Sequence, residues 1–437
     1  MRPSIRLLFL LFIAFASQGL TQELPGRLNV WMNAEQNLND KNGFNIPTRD
    51  HSALQKQFQA VSGSWFQVKS YWIPESELDV ASIVDQVSPE LKDSLIKVID
   101  GISHYRLFVH PESESFYDSL TKKYPAAESA LARATASSRT VLMTTENGDF
   151  FFAKLSLNVE LGRVVRTIPK AETVQSIGLS QYILNKKNQI DSGFHFIPET
   201  LGIIPKGWAR GGQIIRPIPK EVLSGEKTIV PLFALTAPQK NGTLLAQMIQ
   251  QSGDNPYQFV RHQILKPFVK SWVQWAIHGA LSMEAHSQNV LLEISKKGIP
   301  TGIFYHRDMG GMNLDLSSPV VQIEEKNKLP YFSSVENDYH QNFVAEARET
   351  SLSVYFSERF LYNVDRVLTK IDPGYKSGTL QEDLWKELQI ELKLVTGLSS
   401  SRITIAKLRN QLPQVLSESL RAAQTRKFTV LQCGHLF

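Results

Sequence analysis

Glu284-Ala285-His286-Ser287-Gln288-Asn289 leads into Val290-Leu291-Leu292-Glu293-Ile294, then Lys296-Lys297-Gly298, then Gly302-Ile303-Phe304-Tyr305-His306-Arg307-Asp308. Polar residues crowd the mouth of an apolar run, a Lys-Lys-Gly turn reverses the chain, and a second apolar run ends on Arg307-Asp308. Two short apolar strands around a glycine turn predict a β-hairpin spanning 289–306. Such a hairpin brings Asn289 and Asp308 to the same end. An amide oxygen and a carboxylate there suit Mg²⁺, a hard cation whose shell is completed by water and substrate phosphates. That geometry points to an enzyme that uses ATP.

The rest of the chain bounds this reading. Its 437 residues exceed one ordinary domain, and 42% hydrophobic with 20% charged residues describes a globular protein. Net charge is +5 and the pI about 9.0, but the cations are dispersed, with no basic stripe interleaved with aromatics. Small anionic ligands fit this pattern and nucleic acid does not. Arg2 and Arg6 precede an apolar run from Leu7 to Ala16, and Ala14-Phe15-Ala16 offers a small-x-small cleavage site. Residues 1–22 are therefore expected to be a signal peptide, with the mature chain periplasmic or secreted. If the segment is not used, the chain is cytoplasmic or membrane-anchored. The run is too short to span a bilayer. Cys433 is the only cysteine, which excludes an intrachain disulfide and a cysteine-based zinc site.

Apolar periodicity predicts helices over 79–101, 113–133, 243–251, 257–282, 338–371, 380–396 and 402–425. A strand at 105–111 is stopped by Pro111. Between 137 and 236 the pattern is β: Thr140–Thr145 and Phe150–Leu155 flank Glu146-Asn147-Gly148-Asp149, a hairpin signal. Further strands are expected near 194–198, 212–216 and 228–234, and Asn42-Gly43 reads as a turn. The fold class is α+β, with a β-rich middle and a mostly helical C-terminal half. The expected divisions are a shortened N-terminal region (23–136), a β-rich nucleotide-binding region (137–242) and a mainly helical region (243–437).

Three groups of residues carry candidate chemistry. Ser137, Arg139 and Thr140 offer hydroxyls and a guanidinium to phosphate. Lys154 is a lone cation in an apolar strand, facing either solvent or a ligand, and Arg163 and Arg166 follow it. The third group is Glu284, His286, Gln288, Asn289 and Asp308; its bland reading is a capped helix end with Arg307 and Asp308 merely salt-bridged. There is no Gly-x-Ser-x-Gly elbow and no His-Glu-x-x-His motif.

Glu284-x-His286-x-Gln288-Asn289 followed by Arg307-Asp308 resembles the signature of the siderophore synthetases that work without a peptide-assembly line, the aerobactin-synthetase type. Tyr71-Trp72-Ile73-Pro74-Glu75, Val109-His110-Pro111, Ser137-x-Arg139-Thr140, Lys154, Arg166, Phe196-Ile197-Pro198-Glu199, Ile214-Ile215-Arg216 and Pro231–Leu235 resemble further family elements in family order. The resemblance spans roughly residues 40–437. It implies a cupped-hand fold of thumb, fingers and palm, with ATP and Mg²⁺ activating a carboxylate of citrate or a derivative as an acyl-adenylate for attack by an amine or hydroxyl. By resemblance, Ser137, Arg139, Thr140 and Lys154 hold the phosphates, with Gln288 and Arg307 also at the nucleotide. Glu284, Asn289 and Asp308 hold the metal, and Arg166 and His286 bind the carboxylate and stabilise developing charge. A homodimer is implied by the family alone.

The chain departs from the family pattern in several places. Its N-terminal region is short, with only a remnant of a basic motif around Gly43–Pro47. Glu112-Ser113 follows His110-Pro111 where Trp-Gln is expected, and Gly162 stands where a threonine usually lies. An exported, non-catalytic relative binding a polycarboxylate, a siderophore or a nucleotide is the alternative. A phosphotransferase is disfavoured because Glu284 replaces the expected aspartate and no Gly-rich loop precedes Lys154.

Overall fold

The computed structural model describes residues 23–38, 53–161, 164–190, 192–316, 318, 320–321, 347–399 and 401–433. The signal-peptide reading of 1–22, the Asn42-Gly43 turn, the remnant at 43–47, Gly162, Arg163 and the start of the 338–371 helix lie outside them.

Among the described residues seventeen strands occur in chain order: β1 (Trp65–Pro74), β2 (Leu78–Ser82), β3 (Ile96–Ile99), β4 (Ile102–Val109), β5 (Ala130–Ala134), β6 (Thr140–Thr144), β7 (Phe150–Leu155), β8 (Leu157–Leu161), β9 (Val164–Arg166), β10 (Phe194–Phe196), β11 (Leu201–Pro205), β12 (Gln213–Pro217), β13 (Thr228–Pro231), β14 (Leu281–Ser282), β15 (Val290–Ile294), β16 (Pro300–His306) and β17 (Asn313–Leu314). Nine of them form one antiparallel sheet in the order β2-β11-β12-β7-β6-β5-β1-β4-β3. A four-stranded sheet, β10-β16-β15-β13, contains the expected hairpin as β15 and β16, with Val290 opposite His306. The large sheet draws strands from both sides of residue 136, so the N-terminal and β-rich regions share one layer.

Helix α1 (Leu28–Asn37) packs near β13, and α2 (Lys170–Lys186) packs on β2 and β11. Farther along, α3 (Lys266–His278), α4 (Tyr362–Ile371) and α5 (Thr379–Thr396) build the helical C-terminal half. Trp272, Trp275, Phe268 and Phe356 lie in its core, with the Phe268 and Phe356 rings stacked at 3.6 Å. The mixed α+β class, β-rich in the middle and helical towards the C-terminus, is as expected.

Two helices expected from periodicity are not formed. Residues 79–101 hold β2, two single helical turns and β3. Pro89 interrupts the run, and Val80 pairs with Ile203 at the edge of the large sheet, so strand pairing overrides the apolar spacing. Residues 113–133 hold a 3₁₀ segment, one helical turn and β5. The Ala-rich β5 is helix-prone by composition, but it is claimed on both sides by β1 and β6. Conversely, α2 was not expected inside the β-rich stretch. It buries Ile177 against the large-sheet side and Leu179, Tyr182 and Ile183 in the C-terminal core. A helix covered on two faces has no single apolar stripe to be read.

This packing of α2 on β11 and β12 leaves no room for side chains. A Cβ at Gly212 would sit 1.9 Å from Thr173 Oγ1, and one at Gly202 would sit 2.2 Å from the Thr173 carbonyl oxygen. Gly212→Ala is therefore expected to lower stability by about 1–3 kcal/mol through overpacking. Urea denaturation of the variant against the parent checks this.

Candidate active site

Strand alternation aims the candidate cations. In β7, Phe151, Ala153 and Leu155 face the core of the large sheet, while Phe152 and Lys154 face the opposite side. Thr140 on β6 and Ile214 on β12 flank Lys154 in register, which places Arg216 on the same face as Ile214. From the other direction, the β15–β16 hairpin carries Asn289 and Arg307 at one end, where the Arg307 N–H donates to the Asn289 carbonyl at 3.0 Å. Between the two sheets opens a cavity of about 260 Å³. It is lined by Ser137, Arg139, Thr140, Lys154, Arg166, Glu284, His286, Gln288, Asn289, Arg307 and Asp308, which are all the site residues that the resemblance implies. Thr135, Leu161, Arg216, Tyr355 and Arg359 complete the lining.

Lys154 sits at its centre. Its Nζ, buried with 3% of the side chain exposed, lies 2.6 Å from Asp308 Oδ1 and 2.6 Å from Glu172 Oε1. Burial works against the ammonium, but Asp308 and Glu172 more than reverse it and raise its pKa above the ordinary lysine value. Burial likewise pushes Asp308 up, yet Lys154, Arg216 and Arg139 hold its carboxyl well below the usual range. Arg216 forms a buried ion pair with Glu199 at 2.6 Å, and Glu199 also accepts the Met309 N–H at 3.2 Å. Burial, then neighbouring Arg139, lower the Arg166 pKa from its ordinary value.

Glu284 behaves differently from Asp308. Burial, then the Asp308 charge, push it up to about 7, against stabilising hydrogen bonds from Asn289 and Tyr355. Asn289 Nδ2 donates to Glu284 Oε2 at 2.7 Å, which keeps the amide beside the carboxylate. The loop after β16 is moulded to these acids: a Cβ at Gly311 would meet Glu284 Oε2 at 2.4 Å, and one at Gly310 would meet Glu172 Cγ at 2.8 Å. Asp308 and Ser138, one in each ligand-facing loop, take left-handed backbone at φ 71° and 58°. Non-glycine residues in that region cost about 1–3 kcal/mol and cluster at functional sites.

This acid set fits a magnesium ion better than an all-protein cage. Among the described residues no group of three or more His, Cys, Asp or Glu could hold a metal. Two carboxylates and an amide oxygen match Mg²⁺, which takes one or two carboxylates and fills its shell with water and phosphates. The donor set supports the fit: the Asn289 amide sits 2.7 Å from Glu284 Oε2, and Glu284, disfavoured as an anion by burial and then by Asp308, would gain from a divalent cation beside both acids.

The surroundings of two of these residues bear on the roles that the resemblance implies. His286 was expected to bind the carboxylate and stabilise developing negative charge. Burial and then Arg359 lower its pKa to about 4, so it is neutral at physiological pH. Its Nδ1 accepts the Gln288 N–H at 3.2 Å, which leaves Nε2 to carry the proton. It can therefore offer a hydrogen bond but no positive charge. Arg307, expected at the nucleotide, borders the cavity, but its NH1 lies 2.6 Å from buried Glu35 and its Nε donates to the Gln288 carbonyl at 3.1 Å.

Residues that sequence reasoning missed are Glu172, Tyr355 and Arg359. Glu172 comes from the unforeseen α2, and Tyr355 and Arg359 from a wide π-type helix, Thr350–Leu361. Arg216 was noted only as part of a matching segment, although its lone charge in an apolar strand is the same signal that Lys154 gives.

The IucA / IucC family model matches residues 120–237, the stretch that contributes Ser137, Arg139, Thr140, Lys154, Arg166 and Arg216 to the cavity. The petrobactin biosynthesis protein AsbB of Bacillus anthracis str. Sterne superposes with a TM-score of 0.63 at 16% identity, over 90% of this chain and 69% of that one. The ATP-bound aerobactin synthetase IucA of a hypervirulent Klebsiella pneumoniae gives 0.58 at 16% identity, over 87% and 70%. Aerobactin synthetase IucC from the same pathotype gives 0.60 at 16%, over 86% and 67%. No curated protein matches the chain by sequence. The chain thus has the siderophore-synthetase fold, and the resemblance read from its sequence to the synthetases independent of peptide-assembly lines holds.

Glu284 sets a pH dependence with a defined sign. Between its ordinary value of 4.5 and about 7, the folded chain holds a proton that the unfolded chain has lost, so stability falls as pH rises through that window. The buried His110, His286 and His306, each lowered to about 4, act oppositely: they cost stability as pH falls from 6.5 towards 4. Glu284→Gln should remove the first effect only. Chemical denaturation of the ligand-free protein from pH 5 to 8 should show the variant gaining on the parent as pH rises; parallel curves would contradict this.

Proposed function

We propose that this chain is an ATP-dependent, AMP-forming carboxylate–amine ligase of siderophore biosynthesis, acting on citrate or a related acid. The observation that carries the proposal is the convergence of Arg139, Lys154 and Arg216 with Glu284, Asn289 and Asp308 on one cavity in this fold. The ATP-bound state of the neighbouring IucA supports nucleotide use. Arg139 and Lys154, with the Ser137 and Thr140 hydroxyls, hold the polyphosphate. Lys154 is already desolvated and aimed, so it pays no reorganisation when Asp308 turns to a metal. Glu284, Asn289 and Asp308 would hold a magnesium ion, which would supply charge neutralisation at the phosphates. Arg166 binds the acid's carboxylate, and the His286 Nε2–H donates to it as a neutral partner.

The reaction these residues favour is attack of the carboxylate on the α-phosphorus with departure of pyrophosphate. The amine or hydroxyl then attacks the acyl carbon and AMP leaves. Both steps bring anions together or expel one, and fixed cations lower that barrier.

Export is part of the proposal. Residues 1–22 have the pattern of a leader, and α1 begins after them, at Leu28. Among the described residues no helix is long and apolar enough to cross a membrane. The leader pattern also favours the second reading, a non-catalytic exported relative that binds a polycarboxylate, a siderophore or a nucleotide in the same cavity.

Incubating the protein from residue 23 onward with ATP·Mg²⁺, citrate and hydroxylamine separates the readings. AMP and hydroxamate are expected; ADP would indicate phosphotransfer, and neither product would favour the binding protein. Asp308→Ala should abolish metal-dependent ATP binding, and unchanged binding by calorimetry would move the metal elsewhere. Arg166→Ala should weaken the acid more than the nucleotide and cost roughly 10²–10³ in turnover. The reverse order of affinities would reassign Arg166 to the phosphates.

A further inference from the structure

Glu35 lies in none of the segments that suggested the site, yet it is fully buried next to it. Its Oε1 accepts the Trp31 indole N–H at 3.0 Å and lies 2.6 Å from Arg307 NH1. Its Oε2 accepts the backbone N–H of Ala136 at 3.1 Å. Ala136 immediately precedes Ser137, and Arg307 immediately precedes Asp308. One carboxylate therefore touches the base of both ligand-facing loops, one oxygen to each. Next to it, Gln36 Nε2 donates to the Ala134 carbonyl at 3.0 Å, a second tie from α1 to the end of β5. The Arg307 guanidinium is fixed further by the Gln288 carbonyl and lies 5.9 Å from the Trp31 ring centroid.

We propose that Glu35 is a positioning residue: through α1 it sets the separation between the phosphate-facing loop, 135–140, and the metal-facing loop, 307–311. A buried ion pair gives little net stability compared with an apolar contact of the same volume, because desolvation of both charges offsets their attraction. What the pair does provide is fixed distance and direction. The two loops come from different sheets, and both carry a residue in left-handed backbone, Ser138 and Asp308. Such strained segments hold their shape only when their surroundings over-determine it. The geometry stands without the nucleotide reading; its consequence for ATP affinity rests on that reading.

The test uses the chain from residue 23 onward and follows backbone amide exchange by mass spectrometry alongside calorimetric titration of ATP·Mg²⁺ and of citrate. Glu35→Gln keeps shape and acceptor but removes the charge that Arg307 meets, and Arg307→Lys keeps charge but shortens the reach. Either should speed exchange in 135–140 and 307–311 selectively and weaken ATP·Mg²⁺ roughly tenfold, the usual scale for loss of an outer-shell support. Citrate affinity should change little, and Trp31→Phe should leave both loops protected. Unchanged exchange in either loop overturns the proposal, as does uniform loosening or loss of folding in both variants, which would make Glu35 a general stability element. If the parent binds no ATP·Mg²⁺, the ligase reading falls, and the exchange pattern alone decides the role of Glu35.

Discussion

The contact on which the rest of this structure depends is the buried ammonium of Lys154 between Glu172 and Asp308. Each partner comes from a different layer: Lys154 from the nine-stranded sheet, Glu172 from the helix packed on it, and Asp308 from the loop after the smaller sheet. Breaking a buried pair by removing one member strands a charge and costs about 3–5 kcal/mol. The ion triad therefore fixes how the two sheets face each other. Because that face is the cavity, the group that seals the layers is also the group a phosphate would meet.

The same economy recurs around it. Arg216 and Glu199 form a second buried pair, and Glu199 uses its other oxygen to hold the Met309 amide. His306, neutral through burial, uses Nε2 to hold the Glu284 carbonyl at 2.8 Å. The backbone beside Asp308 and that of Glu284 are thus each held by a buried polar residue. Lys154, Arg216 and Arg139 hold Asp308 low, while burial and then the Asp308 charge push Glu284 up against Asn289 and Lys154. Neighbouring carboxylates shifted in opposite directions are a common mark of functional sites.

The N-terminal helix alters the view of which part of the chain makes the site. The family pattern matches 120–237, and Glu284, Asn289 and Asp308 lie well beyond it. Yet α1, far upstream of both, is tied through Glu35 and Gln36 to Ala136 and Ala134, next to the cavity-lining Ser137 and Thr135. Its Trp31 packs on Phe152 with ring centroids 4.8 Å apart, one residue from Ala153 and two from Lys154. A helix of ten residues is too short to be stable alone, and it is held by this burial rather than by propensity.

Local chemistry in the sequence determined the two hairpins and the polar cluster at their mouths. Glycine turns and alternating apolar residues act over a few positions, so the pairing of β6 with β7 and of β15 with β16 needs nothing distant. For the same reason Lys154, Asn289 and Asp308 were legible as candidates. The tertiary structure decided what local pattern cannot carry. It made strands of 78–82 and 130–134 because neighbouring strands supplied their hydrogen bonds, and it made a helix of 170–186 because two surfaces covered it. It also set Arg307 against Glu35 at the edge of the cavity and buried His286. Burial and long-range pairing set those outcomes, and both depend on which residues meet only after the chain has folded.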